Sequence, residues 1–172
     1  MLETVKQLLA QQFEAVFCML NTCIVRCPDA SWNALVGNQP FCQVAFHTLF
    51  FADYYLGPDA ALFRDQPFHR ENETFFADYE QLEDREPVSL CEREAIKGYM
   101  LFCRKKASEV IASETEESLR EPARFERRDF SRAELHVYSI RHIQHHAAQL
   151  SLRLRLDADQ DIPWIGSSWH DA

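Results

Sequence analysis

Three segments of the chain repeat apolar residues every three or four positions, which is the spacing of one face of an α-helix. A fourth segment is apolar on nearly every side and is expected to form a largely buried helix. Two of the predicted helices are followed by residues that stop a helix: the first by Pro28, and the one that is apolar on nearly every side by Gly57-Pro58. The predicted helices run from about Leu2 to Cys27, Phe41 to Leu56, Ser89 to Ala112 and Arg132 to Leu156.

Two of these helices begin with the same capping pattern. Ser89 is followed three residues later by Glu92, and Ser131 is followed in the same way by Glu134. In a capping box the serine hydroxyl and the carboxylate each accept a hydrogen bond from the other residue's backbone N–H. The pattern predicts that the third helix opens at Ser89 and the fourth at Ser131.

The composition favours one compact all-α domain over residues 1–172. The chain has 172 residues, of which 47% are hydrophobic, and this is enough to build a single core. Glycine occurs only four times, so a turn-rich β architecture and a glycine-rich phosphate loop are not expected. Long connections between helices two and three and between helices three and four predict a four-helix bundle, a scaffold that builds metal sites from facing helices.

Charge and apolar patterning argue against two classes of partner. The net charge is −9 and the basic residues are interleaved with acidic ones, so a nucleic-acid partner is not expected. The N-terminal segment lacks the basic start of a signal peptide, and no run approaches the roughly 20 apolar residues of a membrane span. The six cysteines form no C-x-x-C pair, and most are predicted to be reduced core residues of a cytoplasmic protein.

The connection over residues 58–88 has no sustained periodicity, yet it carries Phe63, Phe68, Phe75, Phe76 and Tyr79. A connection of this length usually folds over a site or a partner surface, and short helical turns are expected within it. The tail after Leu156 is predicted to be irregular, with Trp164 and Trp169 covering an edge of the core.

The fourth predicted helix carries three clustered histidines, His142, His145 and His146. His142 and His146 lie one turn apart on the same face, about 6 Å apart at Cβ, so both can reach one metal ion. Both fall within the apolar stripe of the helix, whereas His145 lies on its flank and is predicted to contact the site from outside or to face a partner. A third ligand is needed from another buried helix, and His47 supplies it.

Each histidine also has a simpler interpretation. A lone buried histidine is more often a hydrogen-bonded core residue than a ligand. Two buried imidazoles one turn apart would be costly without a shared ion, which favours ligation for the pair. His69, His136 and His170 lie in or near stretches that are expected to be exposed, and they are predicted to be solvated.

Four further side chains are predicted by helical phase to line the site: Gln43, Tyr54, Tyr138 and Gln149. Each is more often part of core packing. The acidic residue nearest to His47 on the second helix is Asp53, which follows it by six positions and so lies about 120° around the helix. No general base is therefore assigned.

This arrangement of histidines resembles the DinB-like (DinB/YfiT) superfamily of four-helix bundles. The resemblance rests on "QVAFHTLFFADYYL" around His47 and on "HIQHHAAQLSLRLR" about a hundred residues later, and it covers nearly the whole chain in helix order. In that family the first and last histidines of H-x-x-H-H bind a divalent metal. The resemblance implies His47, His142 and His146 as the ligands, and it implies a homodimer.

The resemblance also implies an activity. Family members are mostly described as metal-dependent enzymes, and a few branches transfer or isomerise substrates with low-molecular-weight thiols. An ion held by three neutral imidazoles keeps an open position, where it can activate water for hydrolysis or a thiolate for S-transfer. We expect zinc or nickel, a small-molecule substrate and a low-molecular-weight thiol as candidate co-substrate. The alternatives are a metal-containing binding or stress-response protein without turnover, and a metal-free structural dimer.

Overall fold

A computed structural model describes residues 1–76, 79–83, 90–126 and 129–170, and nearly all regular structure in them is helical. The all-α prediction is confirmed. The helices are α1 (Leu2–Arg26), α2 (Asp29–Trp32), α3 (Phe41–Leu56), α4 (Pro67–Glu71), α5 (Glu73–Phe76), α6 (Arg93–Ser113), α7 (Glu116–Arg120) and α8 (Arg132–Ala158). Single 3-10 turns lie at Phe63–Asp65 and Glu80–Leu82, and two short strands, β1 (Leu35–Val36) and β2 (Gln39–Pro40), pair antiparallel.

The core lies between the four long helices. Helices α1 and α3 each pack against both α6 and α8. The buried face of α1 follows the predicted stripe and includes Leu9, Phe13, Val16, Leu20 and Ile24. In α3, 13 of the 16 residues are buried, so this helix is enclosed on most sides. Polar side chains on α3 therefore face the protein interior and need partners there.

Seven of the eight predicted helix boundaries agree with the structure to within two residues. Helix α1 ends at Arg26, before Pro28, and α3 ends at Leu56, directly before Gly57-Pro58. Helix α8 begins after Ser131, whose hydroxyl oxygen accepts a hydrogen bond from the Glu134 N–H at 3.2 Å. These ends depend on local sequence signals, which explains why the sequence alone locates them.

The predicted start of the third long helix is wrong. Ser89 lies outside the described residues, but Leu90, Cys91 and Glu92 are not helical, and α6 begins at Arg93 with Glu92 at the N-cap position. Tertiary contacts explain the difference. The indole Nε1 of Trp32 donates to the Cys91 carbonyl oxygen at 2.8 Å, and the Arg93 guanidinium binds carbonyl oxygens at the end of α1. The start of α6 is therefore determined by contacts with residues outside this helix.

The connections between the long helices contain more regular structure than the sequence predicts. A tight turn with Gly37 at φ +70° joins β1 to β2, a backbone conformation that glycine adopts readily. Helix α7 begins with a capping box in which Thr115 Oγ1 accepts the Ser118 N–H at 3.1 Å and Ser118 Oγ accepts the Thr115 N–H at 2.8 Å. Helices α4 and α5 are the short helical segments expected in the connection after α3.

The C-terminal tail is irregular, as predicted, and only one of its two tryptophans covers the core. The Trp169 ring lies under the Arg104 guanidinium, 3.8 Å from ring centroid to Cζ, and Arg104 also binds the Glu14 carboxylate at 2.7 to 3.0 Å. Trp164 is 71% exposed, so its predicted packing role is wrong.

All six cysteines are buried and unpaired, as the sequence predicts for most of them. They contribute small apolar side chains to the core. Among the described residues, one helix, α1, is long and apolar enough to cross a membrane. Within its most apolar window 61% of the residues are buried in the protein, as in the core helix of a globular domain.

The prediction that His69 is exposed is wrong, because the connection after α3 folds back and buries it. His69 Nε2 lies 2.7 Å from Asp53 Oδ2, and its Nδ1 lies 2.9 Å from the Tyr79 hydroxyl. Asp53 also accepts hydrogen bonds from the Tyr99 hydroxyl at 2.8 Å and from Lys106 Nζ at 2.5 Å. Burial alone would raise the pKa of Asp53, but the bonds from His69 and Lys106 lower it. This network ties α3 to α4 and α6.

The prediction that His136 is exposed is also wrong, because the chain after α6 turns the Glu114 side chain inward against α8. His136 Nε2 donates to Glu114 Oε1 at 2.8 Å, and Arg132 Nε donates to the same oxygen at 2.9 Å. The Ser118 hydroxyl donates to the other carboxylate oxygen. Both buried histidines are thus hydrogen-bonded core residues. His170 is exposed, as predicted.

Candidate metal centre

Packing of α3 against α8 brings three histidines together. His47 lies midway along α3, and His142 and His146 lie one turn apart on the face of α8 that meets it. Each offers one ring nitrogen, and these three nitrogens all lie within 4.8 Å of one another. The three side chains are half-buried, so they lie at the edge of the core and not in its centre.

The spacing of these nitrogens fits a metal ion. His142 Nε2 lies 3.3 Å from His47 Nε2. Two Zn–N bonds of about 2.0 to 2.1 Å at a tetrahedral angle place their nitrogens about 3.3 to 3.4 Å apart. Imidazole suits Zn, Ni, Cu and Fe alike, so the donor set does not select among these metals. The three histidines could hold a transition-metal ion.

Glutamine side chains orient two of the three imidazoles. His47 Nδ1 lies 2.8 Å from Gln81 Oε1, and His146 Nδ1 lies 2.8 Å from Gln149 Oε1. Because an amide oxygen can only accept, both Nδ1 atoms carry the proton and both Nε2 atoms keep a lone pair. Ligating histidines in metalloproteins usually donate their second N–H in this way.

The protonation equilibria of the site also suit ligation. Burial lowers the pKa of His47, although the hydrogen bond to Gln81 partly opposes this. Burial together with the neighbouring His47 lowers the pKa of His146 to about 4. Both imidazoles are therefore neutral near pH 7, the form in which histidine binds a metal.

A cavity of about 490 Å³ opens beside His47 and His146. Its walls come from the β1–β2 turn, from α3, from the 3-10 turn at Glu80–Leu82 and from α8. Its volume lies within the range of about 300 to 1,000 Å³ that is typical of small-molecule sites. Phe51 closes one side, with its ring centroid 4.9 Å from that of His47 and 5.9 Å from that of His142. A small molecule could therefore reach His47 and His146.

The other residues that were predicted to line or contact the metal site divide into two groups. Gln43 and Gln149 line the cavity, and exposed His145 contacts Gln149, whose Nε2 lies 3.2 Å from His145 Nε2. Tyr54 and Tyr138 do not line this cavity. Tyr54 packs against the rings of Phe63 and Phe125, and Tyr138 against Tyr55 and Phe130.

Gln81 hydrogen-bonds a candidate ligand, yet its role was not predicted from the sequence. It lies in the connection after α3, where the absence of periodicity leaves no helical phase to assign its direction. The only signal was the length of that connection, which favours a segment folded over a site.

Asp53 does not belong to the candidate metal centre. Its carboxylate is bound by His69, Tyr99 and Lys106, so it faces α4 and α6, whereas His47 on the same helix faces α8. The position of Asp53 thus gives no reason to assign it as a general base.

No family model matches this chain, and no curated protein and no solved structure matches it. The resemblance to the DinB-like superfamily thus has no support beyond the residues that suggest it. The function is therefore inferred from the geometry of the three histidines and of the cavity beside them.

Proposed function

We propose that the protein is a metal-dependent enzyme in which His47, His142 and His146 hold one divalent transition-metal ion, zinc or nickel. The observation that carries the proposal is the position of the three candidate ligand nitrogens, within 4.8 Å of one another, with His47 and His146 in the wall of a 490 Å³ cavity. A structural metal site is usually closed by four protein ligands, whereas a catalytic site keeps an open position. Three ligands beside a cavity match the catalytic type.

The reaction that this site supports best is hydrolysis or thiol-dependent S-transfer on a small molecule. The ion would supply Lewis-acid activation of water or of a thiolate. The protein's own residues would orient the reactants. Gln81 and Gln149 fix the tautomers of His47 and His146, and Phe51 excludes water from one side of the imidazoles.

The pairwise packing of α1, α3, α6 and α8 supports the further proposal of a four-helix bundle of the DinB-like type. The candidate ligands lie on the second and fourth long helices, as that resemblance implies. A homodimer and a cytoplasmic location are also proposed. Six unpaired, buried cysteines support the location, because free thiols suit a reducing compartment.

Metal analysis of protein purified without an affinity tag tests the first step. We expect close to one equivalent of zinc or nickel, and we expect His142→Ala to lose it. His170→Ala is the matched control, because His170 is exposed in the C-terminal tail and lies outside the triad. Less than about a tenth of an equivalent in the wild-type protein, unchanged by His142→Ala, would contradict the proposal.

Turnover separates the enzyme from the non-catalytic alternative. The metal-loaded protein should be screened against activated esters, amides and thiol S-transfer pairs. We expect activity that His47→Ala abolishes and His170→Ala retains. A protein that keeps its metal but turns over none of these substrates would instead be a binding or stress-response protein.

A further inference from the structure

Gln43 is an unusual residue in the wall of the cavity. It lies one helical turn before His47 on α3 and is 2% exposed. Neither atom of its side-chain amide has a hydrogen-bond partner among the described residues. A buried amide without partners is destabilising, and folded proteins rarely leave both atoms of one unpaired.

A second unpaired donor lies in the same cavity. Gln81 uses its Oε1 to accept the bond from His47, and its buried Nε2 has no hydrogen-bond partner in the described part of the chain. The cavity thus presents two N–H donor groups and one acceptor oxygen that no protein atom among the described residues satisfies. Among the described lining residues, Glu80 carries the one charged side chain, and none of these residues is Lys or Arg.

We propose that the cavity binds an uncharged small molecule with a carboxamide group, and that Gln43 pairs with this group through both atoms of its own amide. This inference rests on the proposed metal site, because the substrate's reacting atom would bind the ion while its carboxamide reaches Gln43. A carboxamide presents a C=O and an N–H side by side, complementary to the Gln43 amide. A carboxylate has no proton to donate to the Gln43 oxygen, and none of the described residues in the cavity wall would give it a cationic partner.

The spacing along α3 makes simultaneous contact possible. Residues four apart on a helix lie about 6 Å apart on one face, so Gln43 and His47 can contact two ends of the same small molecule. A site built to hydrogen-bond a polar group discriminates against analogues without it, because the analogue leaves the protein's groups unpaired. Gln43 is thus a specificity-determining residue.

Binding of three matched thiols to Co²⁺-loaded full-length protein tests the inference. The probes are 3-mercaptopropionamide, its methyl ester analogue methyl 3-mercaptopropionate, and the anionic 3-mercaptopropionic acid. Each binds cobalt through sulfur and releases the thiol proton to the buffer, and the visible absorption of Co²⁺ reports the binding. We expect the wild-type protein to bind the amide about tenfold or more tightly than either analogue.

Gln43→Met removes both amide atoms at similar length and should reduce the amide-to-ester affinity ratio to about 1. Gln7→Met, an exposed site on α1, is the matched control and should retain the wild-type ratio. A ratio near 1 in the wild-type protein overturns the inference without any variant, even if Gln43→Met fails to fold. An amide-to-ester affinity ratio that is the same in Gln43→Met as in the wild-type protein also overturns the inference. If the wild-type protein holds no cobalt, the metal proposal and this inference both fail, whereas cobalt binding without amide preference overturns the inference alone.

Discussion

His47 Nδ1 donates a hydrogen bond to Gln81 Oε1 at 2.8 Å, and this bond links a candidate ligand on α3 to a residue of the connection that follows the helix. The bond keeps the proton on Nδ1 and turns the Nε2 lone pair toward His142, 3.3 Å away. Gln81 would therefore orient a ligand of the proposed metal site without being a ligand itself.

Gln81→Met should weaken metal binding by about 10- to 100-fold, because His47 then loses the acceptor that fixes its tautomer and ring orientation. Gln81→Glu retains an acceptor oxygen and should keep affinity at or above the wild-type level. Titration of both variants with Zn²⁺ against a competing chelator checks this. Equal affinities for the two variants would show that the hydrogen bond does not orient His47.

The buried hydrogen-bond network around Asp53 predicts a large loss in the free energy of unfolding when one of its charges is removed. The Lys106 ammonium lies 2.5 Å from the Asp53 carboxylate, and their side chains are 14% and 0% exposed. Lys106→Met should lower the free energy of unfolding by about 3 kcal/mol, because it leaves a buried carboxylate without its cation. Adding Asp53→Asn should recover part of this loss, since the two residues are coupled.

Urea unfolding followed by circular dichroism measures these changes. Lys105→Met is the matched control, because Lys105 is exposed and pairs at 3.7 Å with Glu109, which is also exposed. It should change the free energy of unfolding by less than about 0.5 kcal/mol. If Lys105→Met and Lys106→Met destabilise the protein equally, the Asp53 network does not stabilise the fold in the way that its geometry indicates.

The three candidate histidine ligands could be selected from the sequence, whereas much of their surroundings could not. His142 and His146 fall in an apolar stripe, and a stripe of helical period identifies which side chains face inward. The exposure of His69 and His136 was mispredicted because their burial depends on where Asp53 and Glu114 lie in space. Separations of 16 and 22 residues across connections without periodicity leave no local signal for such pairs.

The same reasoning applies to the fold. Proline and glycine located the ends of α1 and α3, because these residues restrict the backbone wherever the rest of the chain lies. The start of α6 was misplaced because Trp32 and Arg93 position it through contacts with residues far away in sequence. Local propensity is a weak guide where such tertiary contacts oppose it.

Glu114 predicts a pH dependence of stability. Burial alone would raise the pKa of Glu114, but hydrogen bonds from His136, Ser118 and Arg132 lower it from an ordinary value of 4.5 to about 2. A carboxyl with a lower pKa in the folded state stabilises the fold fully above its unfolded pKa. That contribution should be constant above about pH 5 and should decline as the pH falls from 4.5 toward 2.

Glu114→Gln should therefore lower the free energy of unfolding by about 3 kcal/mol at pH 7 and by less at pH 3.5. Glu117→Gln, three residues later and exposed, is the control and should have little effect at either pH. Urea unfolding at both pH values gives the comparison. A deficit for Glu114→Gln that is the same at pH 7 and pH 3.5 would show that the carboxylate charge is not its cause.

The cysteines should be unreactive in the folded protein. Burial raises the pKa of Cys23 and of Cys91 to about 12 and that of Cys27 to about 11. Because the thiolate is the nucleophile, a native thiol at pH 8 should react with a disulfide reagent at least about 100-fold more slowly than the same thiol in urea. All six should react after unfolding. Fast reaction of one native thiol at pH 8 would instead identify an accessible thiolate and a candidate nucleophile outside the histidine site.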